Sequence, residues 1–166
     1  MFATIAIAER ALPLLADSQG PIGLYHPFRD ELDPGPLVER LAAMGRDLSL
    51  PCVLTRRDPL VFRRWSPGDP LVIGSLNIPE PPNTADIVEP TVLIVPPVAF
   101  DARCYRIGYG AGFYDRTIPL LRARHPLMTI GYAFAVQQVA HVPNEAHDVP
   151  LDRVVTEDAT FTGGHA

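Results

Sequence analysis

The residues with the clearest chemical potential lie in segment 100–116, which reads FDARCYRIGYGAGFYDR and has glycines at positions 108, 110 and 112. Alternating glycines permit positive φ angles and remove side chains, so successive backbone N–H groups can turn toward one anion. The segment follows a predicted buried strand and opens a predicted helix, whose N-terminal N–H groups and dipole also attract anions. Within it, Arg106 could contact a phosphate through two hydrogen bonds. Asp115 could hold Mg²⁺ against that phosphate.

The same glycines also fit a tight strand-to-helix turn that binds nothing, because such patterns are common. Their G-x-G-x-G spacing differs from the dinucleotide-binding fingerprint. A Walker motif is excluded because the chain contains no lysine.

A second cluster holds Glu145, His147, Asp148 and Asp152 within eight residues. Solvated charges on a surface turn are one interpretation. Zinc is a poor interpretation, since the cluster has one histidine and no cysteine. A third interpretation is that one carboxylate of this cluster joins Asp115 in binding Mg²⁺.

Glu31 follows a short predicted strand and could accept hydrogen bonds from a heterocycle at the carboxyl end of that strand. It could equally be a solvated charge in a turn. Nearby Phe28 is either a core residue or a ring contact for a ligand.

The composition limits the classes of function. The chain has 166 residues and a net charge of -5, and its 14 basic residues are all arginine. A Schiff-base lysine is therefore excluded, and the mild acidity argues against broad nucleic-acid binding.

Cys52 and Cys104 are far apart in the sequence, so we expect free thiols in a reducing compartment. No export signal or membrane-spanning run is recognisable, so we expect a cytoplasmic protein without membrane or nucleic-acid partners.

The hydrophobic pattern predicts the elements that position these residues. Helices are expected over 5–15, 36–45 (with Asp33 as its cap) and 112–124, and strands over 22–25, 51–55, 60–65, 91–95, 128–134 and 153–156. The inward residues are expected to be Ile5, Ala6, Leu12 and Leu15 in the first helix, and Phe113, Leu120 and Leu121 in the last. The proline-rich stretch within 66–82 is expected to be an ordered loop over the domain, and residues 162–166 a frayed tail. Alternating strands and helices predict a single α/β domain with a layered, mostly parallel sheet, which binds ligands at the carboxyl ends of its strands.

Taken in order, the motifs resemble the 5-formyltetrahydrofolate cyclo-ligase (methenyltetrahydrofolate synthetase) family. The resemblance is carried by residues 95–101 and 106–116, and continues through 131–134, Gln137, 145–152 and 155–157. Upstream, residues 30–33, 65–68 and 78–81 also fit. It implies a fold of the NagB/RpiA/CoA-transferase type. It also implies ATP- and Mg²⁺-dependent conversion of 5-formyltetrahydrofolate to 5,10-methenyltetrahydrofolate through a phosphorylated formyl group, with release of ADP and phosphate.

The resemblance also implies roles for individual residues. The ATP phosphates would be held by Arg106, Ile107, Gly108, Tyr109, Gly110, Ala111, Gly112, Phe113 and Tyr114. The folate would contact Phe28, Glu31 and residues 109–113. Asp115 and Asp152 would ligate Mg²⁺, and catalysis would depend on Arg106 and Asp115.

The sequence departs from the family pattern in two ways. Members usually begin with a longer basic helix that reaches the nucleotide, and residue 1 falls where we expect that helix to have passed. We therefore expect either a truncated chain or weak binding of ATP. Pro97 and Cys104 stand where glycine is common, and Ala111 stands where glycine or a basic residue is common. Alanine tolerates positive φ less well than glycine. The departure at the basic helix favours one alternative, a folate- or nucleotide-binding member without turnover. A further alternative is a sugar-phosphate isomerase on the same fold, against which the Asp-Glu pair at 30–31 and the paired metal aspartates argue. In each case we expect small-molecule partners and a monomer or weak homo-oligomer.

Overall fold

A mixed eight-stranded sheet lies at the centre of the computed structural model, which describes residues 2–164. The helices are α1 (Phe2–Leu15), α2 (Gly35–Ala43) and α3 (Phe113–Arg122), and a 3₁₀ turn covers Ala135–Gln137. The strands are β1 (Ile22–Gly23), β2 (Leu48–Cys52), β3 (Val61–Arg64), β4 (Val72–Ile73), β5 (Pro79–Glu80), β6 (Ile87–Val88), β7 (Val92–Val95), β8 (Ala99–Phe100), β9 (Arg106–Ile107), β10 (Met128–Tyr132), β11 (Arg153–Val155) and β12 (Thr160–Thr162).

The strand order is β12-β11-β10-β7-β1-β2-β3-β6. The five strands from β11 to β2 run parallel, while β12, β3 and β6 each pair antiparallel with their inner neighbour. The prediction of an α/β fold with a mostly parallel sheet is therefore confirmed. All four residues of β7 are buried, as the continuous apolar run predicts for a strand covered on both faces.

The two faces of the sheet carry separate apolar clusters. Val92 and Ile94 of β7 belong to the cluster that includes α1 and α2. Leu93 and Val95 belong to the cluster that includes α3. Alternation along one strand thus places α1 and α2 in one layer and α3 in the opposite layer.

The predicted inward faces of two helices are partly wrong. In α1, Ile5 and Ala6 are exposed, and the buried residues are Ile7, Ala8, Ala11 and Leu15. These lie at i, i+1, i+4 and i+8, which is one stripe of a helix. In α3, Leu120 is 38% exposed, and the buried residues are Thr117, Ile118 and Leu121.

Residues 162 and 163 differ from the frayed tail that we predict over 162–166. Strand β12 pairs with β11, and the Gly163 N–H donates to the Asp152 carbonyl at 2.9 Å. A Cβ at Gly163 would lie only 2.0 Å from the Leu151 carbonyl oxygen, so glycine is required there. Residues 162 and 163 are thus ordered, while residues 165 and 166 lie outside the described part.

Two further expectations concern loops. The stretch 66–82 is an ordered loop that includes the small β4–β5 hairpin, as predicted. The helix α2 begins after Pro34, and Asp33 Oδ1 accepts a hydrogen bond from the Gly35 N–H at 2.9 Å. Asp33 therefore caps this helix start from one residue further out than an N-cap. None of the helices within residues 2–164 has the length and apolar character that crossing a bilayer requires.

Candidate active site

A cavity of about 720 Å³ opens where β1, β2 and β7 end. Its walls come from residues within 25–31 after β1, within 51–60 around the end of β2, the hairpin tip 75–80, and Arg106 with residues 108–115. Ile107, which is predicted to hold phosphate, is not among the lining residues. The carboxyl ends of parallel strands form the usual ligand crevice of such sheets. Segments distant in the sequence therefore meet here because their strands are neighbours.

Segment 107–112, which we call the glycine loop, leads from β9 into α3. Gly110 and Gly112 have φ angles of 93° and 72°, which favour glycine. Ala111 has no positive φ, so the strain that the sequence predicts for alanine there does not arise. Gly112 is the N-cap of α3, and no side chain caps the helix. The first N–H groups of α3 are therefore available to an anion in the cavity.

Cys104, another departure from the family pattern, does adopt a backbone conformation that favours glycine. Its φ is 68°, which lies in the left-handed region that favours glycine. Its side chain is fully buried. The glycine that is common at this position would fit this backbone without strain.

Arg106 and Asp115, both predicted to act on phosphate, contact each other. Arg106 Nη2 lies 2.9 Å from Asp115 Oδ1. The arginine side chain is 12% exposed, whereas the aspartate side chain is 75% exposed. The Arg106 guanidinium also lies 5.7 Å from the ring centre of Tyr114. The arginine is thus held in the cavity wall, and the aspartate is open to ligands at the start of α3.

Glu31 lies in the same cavity on the turn after β1. Its Oε2 accepts a hydrogen bond from the Phe28 N–H at 2.8 Å. Burial raises the pKa of Glu31 to about 7, although this hydrogen bond acts in the opposite direction. Burial and then the nearby Glu31 raise the pKa of Tyr114 and that of Tyr25. The Glu31 carboxylate is therefore partly desolvated and lies near the phenols of Tyr25 and Tyr114. There it can accept hydrogen bonds from a ligand.

Aromatic rings border the cavity near Glu31. Phe28 and Tyr109 pack edge to face with ring centres 6.0 Å apart. The Arg29 guanidinium lies 4.9 Å from the Phe28 ring centre and 5.6 Å from that of Tyr109. The glycine loop and the turn after β1 thus form one continuous wall that is suited to a flat heterocycle.

Asp152, the second predicted magnesium ligand, is not part of this cavity. It precedes β11, and its Oδ2 accepts hydrogen bonds from the Thr129 N–H at 2.7 Å and from Arg122 Nη2 at 3.1 Å. Thr129 lies near the amino end of β10, and Arg122 is the last residue of α3. Asp115 lies in the first turn of α3, about 10 Å along the helix axis from Arg122. The two aspartates are therefore at opposite ends of the sheet, because α3 runs antiparallel to the strands.

The rest of the second cluster forms an exposed turn. Asp148 Oδ2 accepts a hydrogen bond from the Glu145 N–H at 2.7 Å. His147 is 77% exposed and lies 3.5 Å from Glu145 and 3.6 Å from Asp148. Among residues 2–164, no group of three or more His, Cys, Asp or Glu side chains is placed to hold a metal. The contacts favour the interpretation as a solvated turn.

Sequence reasoning missed two arginines at the site. Arg56 lines the cavity. Arg116 donates to the Ala111 carbonyl at 2.9 Å and to the Arg56 carbonyl at 3.0 Å. Arg116 thus ties the glycine loop to the turn after β2. A pair of adjacent arginines, Arg56 and Arg57, was the only available sequence signal, and it does not show which of the two faces the cavity.

Comparison with known proteins gives consistent results. The model of the 5-formyltetrahydrofolate cyclo-ligase family matches residues 3–157. The 5-formyltetrahydrofolate cyclo-ligase of Escherichia coli K12 is 37% identical over 140 residues, which cover 81% of this chain and 76% of that protein. The Haemophilus influenzae protein of the same name is 32% identical over 152 residues, with 88% and 81% covered. The solution structure of Aquifex aeolicus 5,10-methenyltetrahydrofolate synthetase is similar, with a TM-score of 0.77, 29% identity, and 98% of this chain and 83% of that chain covered.

Proposed function

Because the chain belongs to the 5-formyltetrahydrofolate cyclo-ligase family, we propose that it converts 5-formyltetrahydrofolate to 5,10-methenyltetrahydrofolate at the expense of ATP. The observation that carries this proposal is the meeting of two kinds of site in one cavity. The glycine loop, Arg106 and Asp115 offer groups for phosphate. Glu31 and Phe28 offer groups for a heterocycle within the same walls.

The proposed reaction has two steps. The formyl oxygen attacks the γ-phosphorus of ATP, and the bond from that phosphorus to the bridging oxygen breaks as ADP leaves. The folate N10 then attacks the activated formyl carbon and loses its proton. The bond from that carbon to the phosphorylated oxygen breaks, and phosphate leaves. No protein nucleophile is needed, so positioning and charge neutralisation supply the catalysis.

The phosphate end of the reaction is assigned to the glycine loop and α3. Open N–H groups of the loop and of the uncapped helix start bind the phosphate oxygens. The guanidinium of Arg106 adds a charge-assisted contact, for which it must leave Asp115. The buried position of its side chain limits its alternatives and keeps it aimed at the cavity.

Asp115 fits magnesium only together with the nucleotide. Mg²⁺ is usually held by one or two carboxylates plus substrate phosphates, and Asp115 is one exposed carboxylate beside the glycine loop. When bound, the ion would neutralise charge on the phosphate oxygens. Asp152 does not fit this role, because its carboxylate is bonded to Thr129 and Arg122 at the other end of the sheet.

The folate end is assigned to Glu31 and the aromatic wall. In its ionised form, Glu31 accepts hydrogen bonds from the N–H donors of the pterin ring. Its remaining oxygen is available because the Phe28 N–H occupies only Oε2. Phe28 and Tyr109 supply apolar surface for the flat ring.

A direct assay tests the proposal. We would incubate the purified chain with 5-formyltetrahydrofolate, ATP and Mg²⁺ and follow the near-ultraviolet absorbance of methenyltetrahydrofolate. Product that requires ATP is the expected result. Calorimetric binding of either ligand without product would instead support the alternative, a family member that binds folate or nucleotide without turnover. Absence of binding of both ligands would refute both.

The setting of the reaction is part of the proposal. Two buried free thiols fit a reducing cytoplasm. The net charge of -5 fits small-molecule substrates better than nucleic acid. We expect a monomer or a weak homo-oligomer, which sedimentation of the purified chain would measure.

A further inference from the structure

A second positive group lines the cavity close to the glycine loop. Arg56 lies on the turn after β2 and lines the cavity, while its neighbour Arg57 does not. The side chains of both arginines are exposed. The two residues therefore share a turn and a charge but differ in what they face.

The backbone of Arg56 is fixed beside the glycine loop. One guanidinium, that of Arg116, donates to the Arg56 carbonyl at 3.0 Å and to the Ala111 carbonyl at 2.9 Å. The turn itself is closed by Thr55 Oγ1, which donates to Asp58 Oδ2 at 2.8 Å. Arg56 is thus held at a set position relative to the loop, although its side chain remains free to reach a ligand.

The guanidinium of Arg56 makes no ion pair or hydrogen bond with any described residue. The other cavity arginines are engaged: Arg106 pairs with Asp115, and Arg29 lies over two rings. A free guanidinium that lines the same cavity as a cluster of open N–H groups has the chemistry of a phosphate ligand.

We propose that Arg56 binds the terminal phosphates of the nucleotide together with the neighbouring glycine loop. This inference rests on the proposed ATP dependence. It assigns a phosphate-binding positive charge to the turn after β2. Because the chain has no lysine, an arginine supplies that charge. Arg116 then acts as a positioning residue for both segments of the phosphate site, the glycine loop and the turn after β2.

The test compares Arg56→Gln with Arg57→Gln by calorimetric titration of ATP in the presence of Mg²⁺. Loss of one charge-assisted phosphate contact is expected to weaken ATP binding about 10- to 100-fold in Arg56→Gln. Arg57→Gln is expected to match the parent within twofold. Neither variant is expected to change the affinity for 5-formyltetrahydrofolate or the melting temperature.

The outcomes are distinguishable. Equal ATP affinity in the two variants and the parent would overturn the role of Arg56 and leave the proposed function standing. An equal loss of ATP and folate affinity in Arg56→Gln would also overturn it, because a phosphate ligand acts on one substrate. A parent chain that binds neither ATP nor inorganic tripolyphosphate would overturn the proposed function and this inference together.

Discussion

Replacement of Glu31 by glutamine should stabilise the protein at alkaline pH while weakening the folate site. Glutamine has nearly the same shape and can still accept the hydrogen bond from the Phe28 N–H. It cannot ionise, so it removes the cost of keeping a carboxylate in a partly buried position. The substitution therefore removes the free-energy cost of burying the ionised carboxylate and leaves the packing of the side chain nearly unchanged.

The magnitude follows from the pKa of Glu31, which burial raises from 4.5 to about 7. A folded-state pKa above the unfolded value gives a contribution that is complete below about pH 4.5 and is lost as the pH rises through about 7. The full difference corresponds to roughly 3 kcal/mol. Screening of the partly open side chain reduces it to about 1–2 kcal/mol. For a chain of this size, the melting temperature should shift by about 3–6 °C.

Thermal unfolding of the parent and of Glu31→Gln between pH 5 and pH 8 measures this effect. The variant should be close to the parent at pH 5 and progressively more stable toward pH 8. Glu39→Gln is the matched control, because Glu39 is exposed on α2. A stability difference that stays constant across this range would refute the reasoning. The variant should also bind 5-formyltetrahydrofolate less tightly, which calorimetry would detect.

Further predictions concern the phosphate site and the opposite end of the sheet. Asp115→Asn should lower turnover by about 10²-fold or more, in line with the loss of a preorganised electrostatic group, with an unchanged melting temperature; turnover at the parental rate would refute the metal assignment. Arg106→Ala should weaken ATP binding more than folate binding, and equal losses in the two titrations would contradict its phosphate role. Arg116→Gln should raise the KM for ATP more than that for folate because it frees the Ala111 and Arg56 carbonyls, and Arg116→Lys should restore part of it; a loss of stability without a change in KM would mean a purely structural role. Asp152→Asn should lower the free energy of unfolding by about 1–3 kcal/mol, because Asp152 accepts hydrogen bonds from Thr129 and Arg122. The Mg²⁺ concentration that gives half-maximal activity should not change. A shift in that concentration would mean that Asp152 is a magnesium ligand.

Much of the fold was predictable because its signals are local. The apolar run of β7 requires burial on both faces, and the pattern of strands and helices around it favours a parallel sheet. Strand β12 was missed because three residues give little periodicity. Its pairing with β11 depends on the path of the chain rather than on its own sequence.

The inward faces of the helices were less predictable. The first helix has apolar residues on several sides, and Phe2 and Ile5 are exposed while Ala8 and Ala11 are buried. Hydrophobicity alone selects the larger residues. Packing on the sheet selects the stripe whose geometry fits the strands beneath it.

The sequence by itself determined the phosphate-binding potential of residues 106–115, because the glycines, Arg106 and Asp115 are separated by at most nine positions and one turn brings them together. Only the tertiary structure decided that Asp152 lies at the far end of the sheet. It likewise placed Arg56 beside the glycine loop through a contact between residues 60 positions apart. The raised pKa of Glu31 also belongs to the folded state, since burial causes it. Local spacing fixes which groups share a turn, whereas burial and long-range contacts depend on which strands become neighbours in the sheet.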